Sequence, residues 1–556
     1  MKTLNIGLAQ INPTVGDFQA NTEKIRSYIE AAERQALDLV VFPELSISGY
    51  PVWDLANKRR FIEEGLKSLG RIAAATKGKR VTAVVGFIDR ADSKTKKSRN
   101  ALAVLRNGKL IHKQYKTLLP TYDVFLEEIF FSSGETHRVF ALNGFRFGTS
   151  ICEDIWDDRY AVKPAKILAQ KGARILINIS ASPYHKEAVA RRREVILKKA
   201  KDYGLWVIYV NQVGGQDDLV FDGRSFVCDP KGRIRYEAEA FREALYRYQI
   251  HFGSGRENGF VPSKPHLVRD MYTALVLGLR DYIRKNKFGK VTVGLSGGID
   301  SALVGAIARD ALGPEAVIGV GMPGPFSSPQ SLRDAKTLAQ NLGIQFRVRP
   351  IRALYQGFIR ESTAEKARRK AKAAEKGLIT LAMENLQARL RGLELMYLSN
   401  DESVLLLTTG NKSELAMGYC TLYGDMCGGL SVLGDVYKTD VYRLARYRNS
   451  LSKVIPEATI RRAPSAELRP NQKDQDSLPP YPVLDHILFL YIEKNRSFAE
   501  IVRELRTQHV SSGTVKRVLR TVDRNEYKRR QLPPLIRITE KAWFGRRMPI
   551  TNRFED

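Results

Sequence analysis

The sequence predicts an α/β protein of two domains, 1–250 and 266–556, joined by a linker at 251–265. Three observations lead there. Apolar, strand-like runs alternate with amphipathic helical stretches along most of the 556 residues, as layered strands and helices do. Residues 251–265 concentrate Gly, Pro and Ser, the composition of a connection rather than of a packed element. In the second half, the run Val291-Thr292-Val293-Gly294-Leu295 leads through a glycine turn into an apolar-periodic stretch at 302–308. Further runs at 316–322, 346–350 and 404–409 complete the pattern of a doubly wound parallel sheet, whose ligands bind beyond the strands' C-terminal ends.

In chain order, the first half offers strands at 4–11, 39–42, 81–87, 102–105, 145–152, 175–179, 206–210 and 225–228. Amphipathic helices are predicted at 21–35, 164–170 and 189–201, and a helix at 266–287 opens the second half. The stretch 364–374 is rich in Ala, Lys and Arg and reads as an exposed helix or loop.

Composition excludes some classes. Hydrophobic content of 43% and charged content of 27% are ordinary for a globular protein. No stretch approaches the roughly 20 apolar residues of a membrane span. Residues 1–10 read directly as a strand with no signal-peptide layout, and four cysteines suit a reduced compartment, so a cytoplasmic setting is expected. The net charge of +30 suits nucleic acid, attraction of anionic nucleotides or a solvated basic surface. Its spread along the chain, densest at 366–376 and at Lys528-Arg529-Arg530, leaves all three open.

The turn Ser296-Gly297-Gly298-Ile299-Asp300-Ser301 is a phosphate holder. Adjacent glycines allow close backbone approach, and a helix N-terminus offers unpaired N–H groups. It lacks the Gly-Lys-Ser/Thr ending of a Walker loop. The motif resembles the pyrophosphate loop of ATP pyrophosphatases, which split ATP between its α and β phosphates. ATP brings charge that a metal must offset. Asp300, and Glu414 in Thr409-Gly410-Asn411-Lys412-Ser413-Glu414, are the candidate carboxylate ligands of Mg²⁺.

A second constellation lies in the first half. Cys152 closes an apolar strand, Glu44 follows the strand at 39–42 in Phe42-Pro43-Glu44-Leu45, and Lys116 follows a strand pair in Tyr115-Lys116-Thr117. Such a set can cleave amides. The glutamate takes the thiol proton, the thiolate attacks the carbonyl, and the lysine steadies negative charge.

These segments resemble the nitrilase, or carbon–nitrogen hydrolase, superfamily over about residues 1–250. The resemblance implies an α-β-β-α sandwich with a triad of Glu44, Lys116 and Cys152. It further implies a glutamine pocket of Tyr50, Tyr122, Glu127, Glu153, Trp156, Ser182 and Lys186. Residues from about 270 onward resemble the NAD synthetase family through 295–301, 384–392, 409–414, 423–429, 463–470 and 527–529. The whole chain therefore looks like a member of the glutamine-dependent NAD⁺ synthetases.

That resemblance implies adenylation of deamido-NAD (nicotinate adenine dinucleotide) by ATP. Displacement of AMP by ammonia follows, the ammonia being freed from L-glutamine and led through a tunnel. Gly294, Leu295, Ser296, Gly297, Gly298, Ile299, Asp300, Ser301 and Thr409 would hold ATP. Asn385, Arg389, Glu414 and Lys528 would contact deamido-NAD or the adenylate. The family is oligomeric, so a homo-oligomer built on a synthetase-domain dimer is expected, with no nucleic-acid or membrane partner. Two features depart from the family: Met383, where an acid is common, and the basic stretch at 364–374.

Competing readings make different demands. Another ATP-pyrophosphatase amidotransferase would share the loop, but not the stretches at 385–392 and 423–429. A tRNA-thiolating enzyme would want a paired persulfide cysteine, whereas Cys420 and Cys427 have six residues between them. A first half reduced to a binding module would not need Glu44, Lys116 and Cys152 together.

Overall fold

The computed structural model describes residues 2–252, 264–368 and 380–554, with side chains at 363–368 left out. The predicted linker and the basic stretch at 364–374 fall largely outside those residues. The chain divides into two compact units, Met1–Pro265 and His266–Asp556.

The first unit is built from two six-stranded sheets. Its strands are β1 (Lys2–Gln10), β2 (Leu39–Val41), β3 (Thr82–Asp89), β4 (Arg99–Arg106) and β5 (Lys109–Tyr115). Then come β6 (Val139–Leu142), β7 (Phe145–Ile151), β8 (Ile175–Ser180), β9 (Trp206–Asn211), β10 (Val213–Gln216) and β11 (Leu219–Asp222). The unit closes with β12 (Phe226–Cys228), β13 (Ile234–Glu237) and β14 (Ala244–Phe252). One sheet runs β14-β1-β2-β3-β4-β5 and the other β13-β12-β9-β8-β7-β6, with β10 and β11 forming a separate ribbon.

Period-2 alternation sorts the side chains into layers. Leu39, Val41, Leu102 and Val104 of the first sheet share a core with Ile175, Ile177, Ile179, Ile208 and Val210 of the second. Val40, Ala101, Ala103 and Leu105 point the other way, onto Ile25, Ile29 and Ile72 of the helices Phe18–Arg34 and Arg59–Ala75. Leu176, Val207 and Tyr209 likewise meet Leu168, Ile196 and Ala200 of the helices Pro164–Gln170 and Ala188–Tyr203. The result is helix, sheet, sheet, helix. Each fully buried Ile or Leu contributes about 1.5–3 kcal/mol, so the central layer dominates the unit's cohesion.

The second unit carries a five-stranded sheet of β15 (Val291–Gly294), β16 (Val317–Gly321), β17 (Gln345–Val348), β18 (Leu405–Thr408) and β19 (Leu430–Ser431). All its pairings are parallel, in the order β17-β16-β15-β18-β19. Ile318 and Val320 of β16 pack on Leu395 and Leu398 of the helix Leu381–Asp401. On the opposite face a Cβ at Gly321 would meet Leu332 of the helix Pro329–Leu342 at 2.9 Å. Helices thus cover both faces, and the order reverses between β15 and β18. The C-terminal segment is tied back by Asp435, which accepts from the Ile538 and Thr539 backbone N–H groups at 2.8 and 2.7 Å.

Element bounds differ from the sequence reading by a few residues. The first helix begins at Phe18 rather than 21, because Asp17 caps it by accepting from Ala20 N. The apolar runs leave out β5, β6, β10, β11, β13, β14 and β19. Every one lies at a sheet edge or in the two-stranded ribbon. β5, β6, β13 and β14 are largely exposed or half-exposed, and the buried β10, β11 and β19 have only two to four residues, so neither group offers a long apolar run.

Two candidate active sites

In the first unit, three strand ends from two sheets deliver the charged groups. Glu44 stands three residues past β2. Its turn crosses β3 so closely that a Cβ at Gly86 would lie 2.3 Å from Leu45 N, so only glycine fits there. Lys116 follows β5 directly. Cys152 follows β7, opens the 3₁₀ turn Cys152–Ile155 and adopts φ +44°, a backbone strained for a non-glycine residue. Asp154 secures this turn: its Oδ2 accepts from Ile151 N at 3.0 Å, and its Oδ1 from Thr117 N at 2.9 Å and Leu118 N at 2.8 Å. The cysteine turn and the lysine loop are therefore clamped to one carboxylate.

Lys116 Nζ lies 2.8 Å from both Glu44 Oε1 and Glu127 Oε1, with no solvent exposure. Asn100 Nδ2 donates to Glu44 Oε1 at 2.7 Å, and Ala181 N donates to Oε2 at 2.9 Å. Tyr50 OH donates to Glu127 Oε1 at 3.1 Å. Burial opposes the Lys116 charge, but Glu127 and Glu44 outweigh it and hold its pKa well above the usual value. Burial and the Glu44 charge push the Cys152 thiol up, against the pull of Lys116. Cys152 therefore rests as a thiol and needs a base at the moment of attack.

The other predicted pocket residues divide. Tyr122 OH donates to Glu153 Oε1 and Oε2 at 3.0 and 3.1 Å, and Tyr160 OH to Oε1 at 3.0 Å. Burial raises the Glu153 pKa. Tyr50, Tyr122, Glu127 and Glu153 thus gather with Cys152, whose thiol feels the Glu127 and Glu153 charges. Ser182 follows the Ala181 that binds Glu44, and its backbone is held by Asn211 at 2.8 and 3.1 Å. Trp156 lies 6.0 Å from the Arg191 guanidinium. Lys186 is half-buried before the helix Ala188–Tyr203. Asn100, Asp154 and Tyr160 were not predicted. Asp154 and Asn100 sit beside motif residues, but nothing local marks them.

In the second unit, the phosphate loop follows β15 and runs into the helix Ile299–Leu312. Gly297 has φ +82°, and a Cβ there would lie 2.4 Å from Ser331 O. The loop's hydroxyls hold its shape: Ser301 Oγ accepts from Ser296 N at 3.2 Å and donates to Gly298 O at 3.0 Å. A cavity of about 290 Å³ opens above it. Gly294, Leu295, Ser296, Gly298, Ile299, Asp300, Ser301, Thr409 and Glu414 line it, while Gly297 instead packs on Ser331.

Asp300 and Glu414 come together at the switch point between β15 and β18, joined by a residue the sequence did not single out. Lys438 Nζ lies 2.5 Å from Asp300 Oδ2 and 3.1 Å from Glu414 Oε1, almost fully buried. Asn411 completes the set, donating from Nδ2 to Asp300 Oδ1 at 2.8 Å and from its backbone N to Glu414 Oε2 at 3.3 Å. Burial works against the Lys438 charge, but Asp300 and Glu414 hold its pKa well above normal, and burial raises Glu414. Two hard carboxylates beside a phosphate loop are a donor set that suits Mg²⁺, which takes one or two carboxylates plus phosphate oxygens. Among the described residues no three His, Cys, Asp or Glu side chains form a self-contained metal cage.

The predicted dinucleotide residues converge on one neighbouring segment. Asn385 Oδ1 accepts from Thr421 Oγ1 at 2.9 Å, and Arg389 Nε donates to Leu422 O at 3.2 Å. Lys528 Nζ donates to Gly418 O at 2.6 Å and Cys420 O at 2.8 Å.

Comparison with known proteins agrees with both halves. The carbon–nitrogen hydrolase family matches residues 5–257 and the NAD synthase family residues 271–533. The chain is 43% identical to the glutamine-dependent NAD(+) synthetase of Aquifex aeolicus, covering 99% of this chain and all of that one. It is 42% identical to the protein of the same name from Thermotoga maritima, covering both chains in full. Among solved structures it is similar to the glutamine-dependent NAD⁺ synthetase of Acinetobacter baumannii in complex with ADP. There the identity is 39%, with 99% of each chain covered and a TM-score of 0.77.

Proposed function

Because the chain belongs to the glutamine-dependent NAD⁺ synthetase family, we propose that its two sites divide one amidation between them. At the first, Cys152 Sγ attacks the side-chain amide of L-glutamine while Glu44 takes the thiol proton. Glu44 returns that proton to the leaving nitrogen, ammonia departs, and a thioester remains. Water, deprotonated by Glu44, then releases glutamate and restores the thiol. Lys116 holds the Glu44 carboxylate in place through their ion pair and offsets charge developing on the carbonyl oxygen. Tyr50, Tyr122, Glu127, Glu153, Trp156, Ser182 and Lys186 form the glutamine pocket in this reading.

At the second site, a carboxylate oxygen of deamido-NAD attacks the α-phosphorus of ATP and pyrophosphate leaves. The acyl adenylate then carries a good leaving group, so ammonia displaces AMP and NAD⁺ forms, as the last step of its synthesis. The loop at 294–301, Thr409 and Lys438 bind and orient the phosphates. Asn385, Arg389, Glu414 and Lys528 bind the dinucleotide. Asp300 and Glu414 would hold Mg²⁺, which supplies charge neutralisation for the departing pyrophosphate.

The observation that carries the reading is the pairing of centres: a buried Cys–Glu–Lys set fit to free ammonia, and a phosphate loop fit to make the adenylate that consumes it. Two further proposals accompany it. A second copy of the chain suits the helix Leu381–Asp401, which leaves Leu393 and Tyr397 62% and 57% exposed beside the dinucleotide residues. A reducing, cytoplasmic setting suits four free thiols, one of them the nucleophile.

The test is NAD⁺ formation from deamido-NAD, ATP and Mg²⁺, with glutamine or ammonium as nitrogen source, in wild type and Cys152→Ala. The wild type uses both, and the variant uses ammonium alone. Glutamine use by the variant would remove Cys152 from its role. Failure of both proteins with both sources would overturn the synthetase chemistry.

A further inference from the structure

Lys438 reaches Asp300 and Glu414 from the first residue of the helix Lys438–Leu451, so the start of that helix decides where the ammonium lies. This start is buried. Lys438 is 2% exposed, and Tyr437 at the N-cap supplies no side-chain cap. The first N–H groups of a buried helix are costly to leave unpaired, so they must find acceptors elsewhere. Both acceptors come from distant segments. Ser413 Oγ accepts from Lys438 N at 2.9 Å, and Asp485 Oδ2 accepts from Thr439 N at 2.8 Å.

The two acceptors are themselves joined. Ser413 Oγ donates to Asp485 Oδ1 at 2.5 Å, which closes a ring of Asp485, Ser413, Lys438 and Thr439. Asp485 lies on the helix Tyr481–Leu488 and is 6% exposed; the Thr439 side chain also bonds to it. Ser413 is a fixed post. Lys412 beside it pairs with Asp435 at 2.8 Å and donates to Thr539 Oγ1 at 2.6 Å. On its other side stands Glu414, the carboxylate that Lys438 Nζ meets at 3.1 Å. Neither Asp485 nor Ser413 is among the residues that line the cavity. One carboxylate behind the cavity wall thus holds both the segment of Glu414 and the cation that faces it. A neutral side chain would cap Thr439 N as well and would cost less to bury. The carboxylate adds charge-assisted bonds on both oxygens and a negative charge at the positive end of the helix.

We propose that Asp485 is a positioning residue for the phosphate site: through Ser413 and Thr439 it fixes the backbone of Lys438, so that the ammonium meets the phosphates of ATP. This rests on the adenylation reading above. Asp485 contacts no reactant and moves no proton; its effect passes through Lys438 alone.

The experiment uses the full chain. In deamido-NAD-dependent exchange of pyrophosphate into ATP, Asp485→Asn, which keeps the shape, is expected to raise the KM for ATP about 10-fold. The KM for deamido-NAD should stay within about threefold. A carboxylate that only held the fold would thin the folded population, which lowers kcat and leaves both KM values alone. The deciding comparison is equilibrium binding of ATP by calorimetry, which needs no turnover. Asp485→Asn is expected to raise the Kd about 10-fold when Lys438 is present, and less than about threefold in Lys438→Met, where nothing remains to be positioned. Ser413→Ala opens the same ring and is expected to show the same dependence on Lys438 more weakly. It decides the matter should the Asn protein fail to fold. Unchanged ATP affinity in both variants overturns the proposal. So does an equal loss with and without Lys438, or failure of both variants to fold, since each marks a carboxylate that serves the fold alone. A wild type that binds ATP yet exchanges no pyrophosphate with deamido-NAD would instead fail the adenylation reading itself.

Discussion

Lys116 Nζ stands 2.8 Å from Glu44 Oε1 with neither side chain exposed, so the carboxylate proposed as the general base is held by a fixed positive charge. Asn100 and Ala181 supply two more donors to the same carboxylate, and together they leave Glu44 one geometry. The centre's charge balance can be broken one member at a time.

Glu44→Gln keeps the shape and removes the base. Glutamine hydrolysis is expected to fall about 10²- to 10⁴-fold, the usual worth of a positioned general base. NAD⁺ formation from ammonium should stay near wild type. A glutaminase rate that survives intact would show that another group takes the Cys152 proton.

Lys116→Met has a second consequence. It leaves Glu44 and Glu127 facing each other in a dry pocket with no cation between them. Breaking a buried ion pair by removing one partner costs about 3–5 kcal/mol, which urea melts would detect. Adding Glu127→Gln to the same protein should recover part of that loss. Equal stability of wild type and single variant would show the pocket admits water.

Lys438→Met separates the two sites. With the ammonium gone, Asp300 and Glu414 repel each other and the phosphates lose a partner. NAD⁺ formation from both nitrogen sources is expected to drop at least ~10²-fold, the scale of one lost charge-stabilising group. Glutamine hydrolysis should continue. A variant that keeps ammonium-dependent synthesis would remove Lys438 from the phosphate site.

Stability should fall on mild acidification. His112 is buried, its Nε2 2.9 Å from Thr149 Oγ1, and burial, with the Arg138 charge second, holds its pKa down to about 4. Unfolded, it titrates near 6.5. Above that value neither state binds the proton. Between about 6.5 and 4 only the unfolded chain does, so stability is lost as pH falls, by up to about 1.4 kcal/mol per unit. His137, also lowered by burial, adds the same sign. Urea melts at pH 7 and 5 should show a steeper loss in wild type than in His112→Gln. Equal slopes would mean that His112 does not bear the effect.

Strongly apolar segments made much of this fold readable. Central strands such as β8 and β15 are buried on both faces and appear as plain runs of Val, Ile and Leu. Edge strands such as β13 and β14 do not, because solvent takes one side of them. Motif residues were readable for a related reason: Cys152, Lys116 and Glu44 each terminate a strand, where a polar side chain interrupts an apolar run. Asn100, Asp154 and Lys438 interrupt nothing distinctive. Their roles come from partners far along the chain, as when Lys438 meets Asp300 from 138 residues away.

The sequence by itself determined the layered α/β class, the strand-end placement of both chemistries and the phosphate loop, since local periodicity and glycine conformational freedom are properties of neighbouring residues. Tertiary structure alone decided which charges neutralise one another. It placed Glu127 on Lys116 and set Lys438 between Asp300 and Glu414. Those outcomes depend on which strand ends the sheet order brings together and on how deeply burial removes competing water. Neither quantity is written in any local stretch of chain.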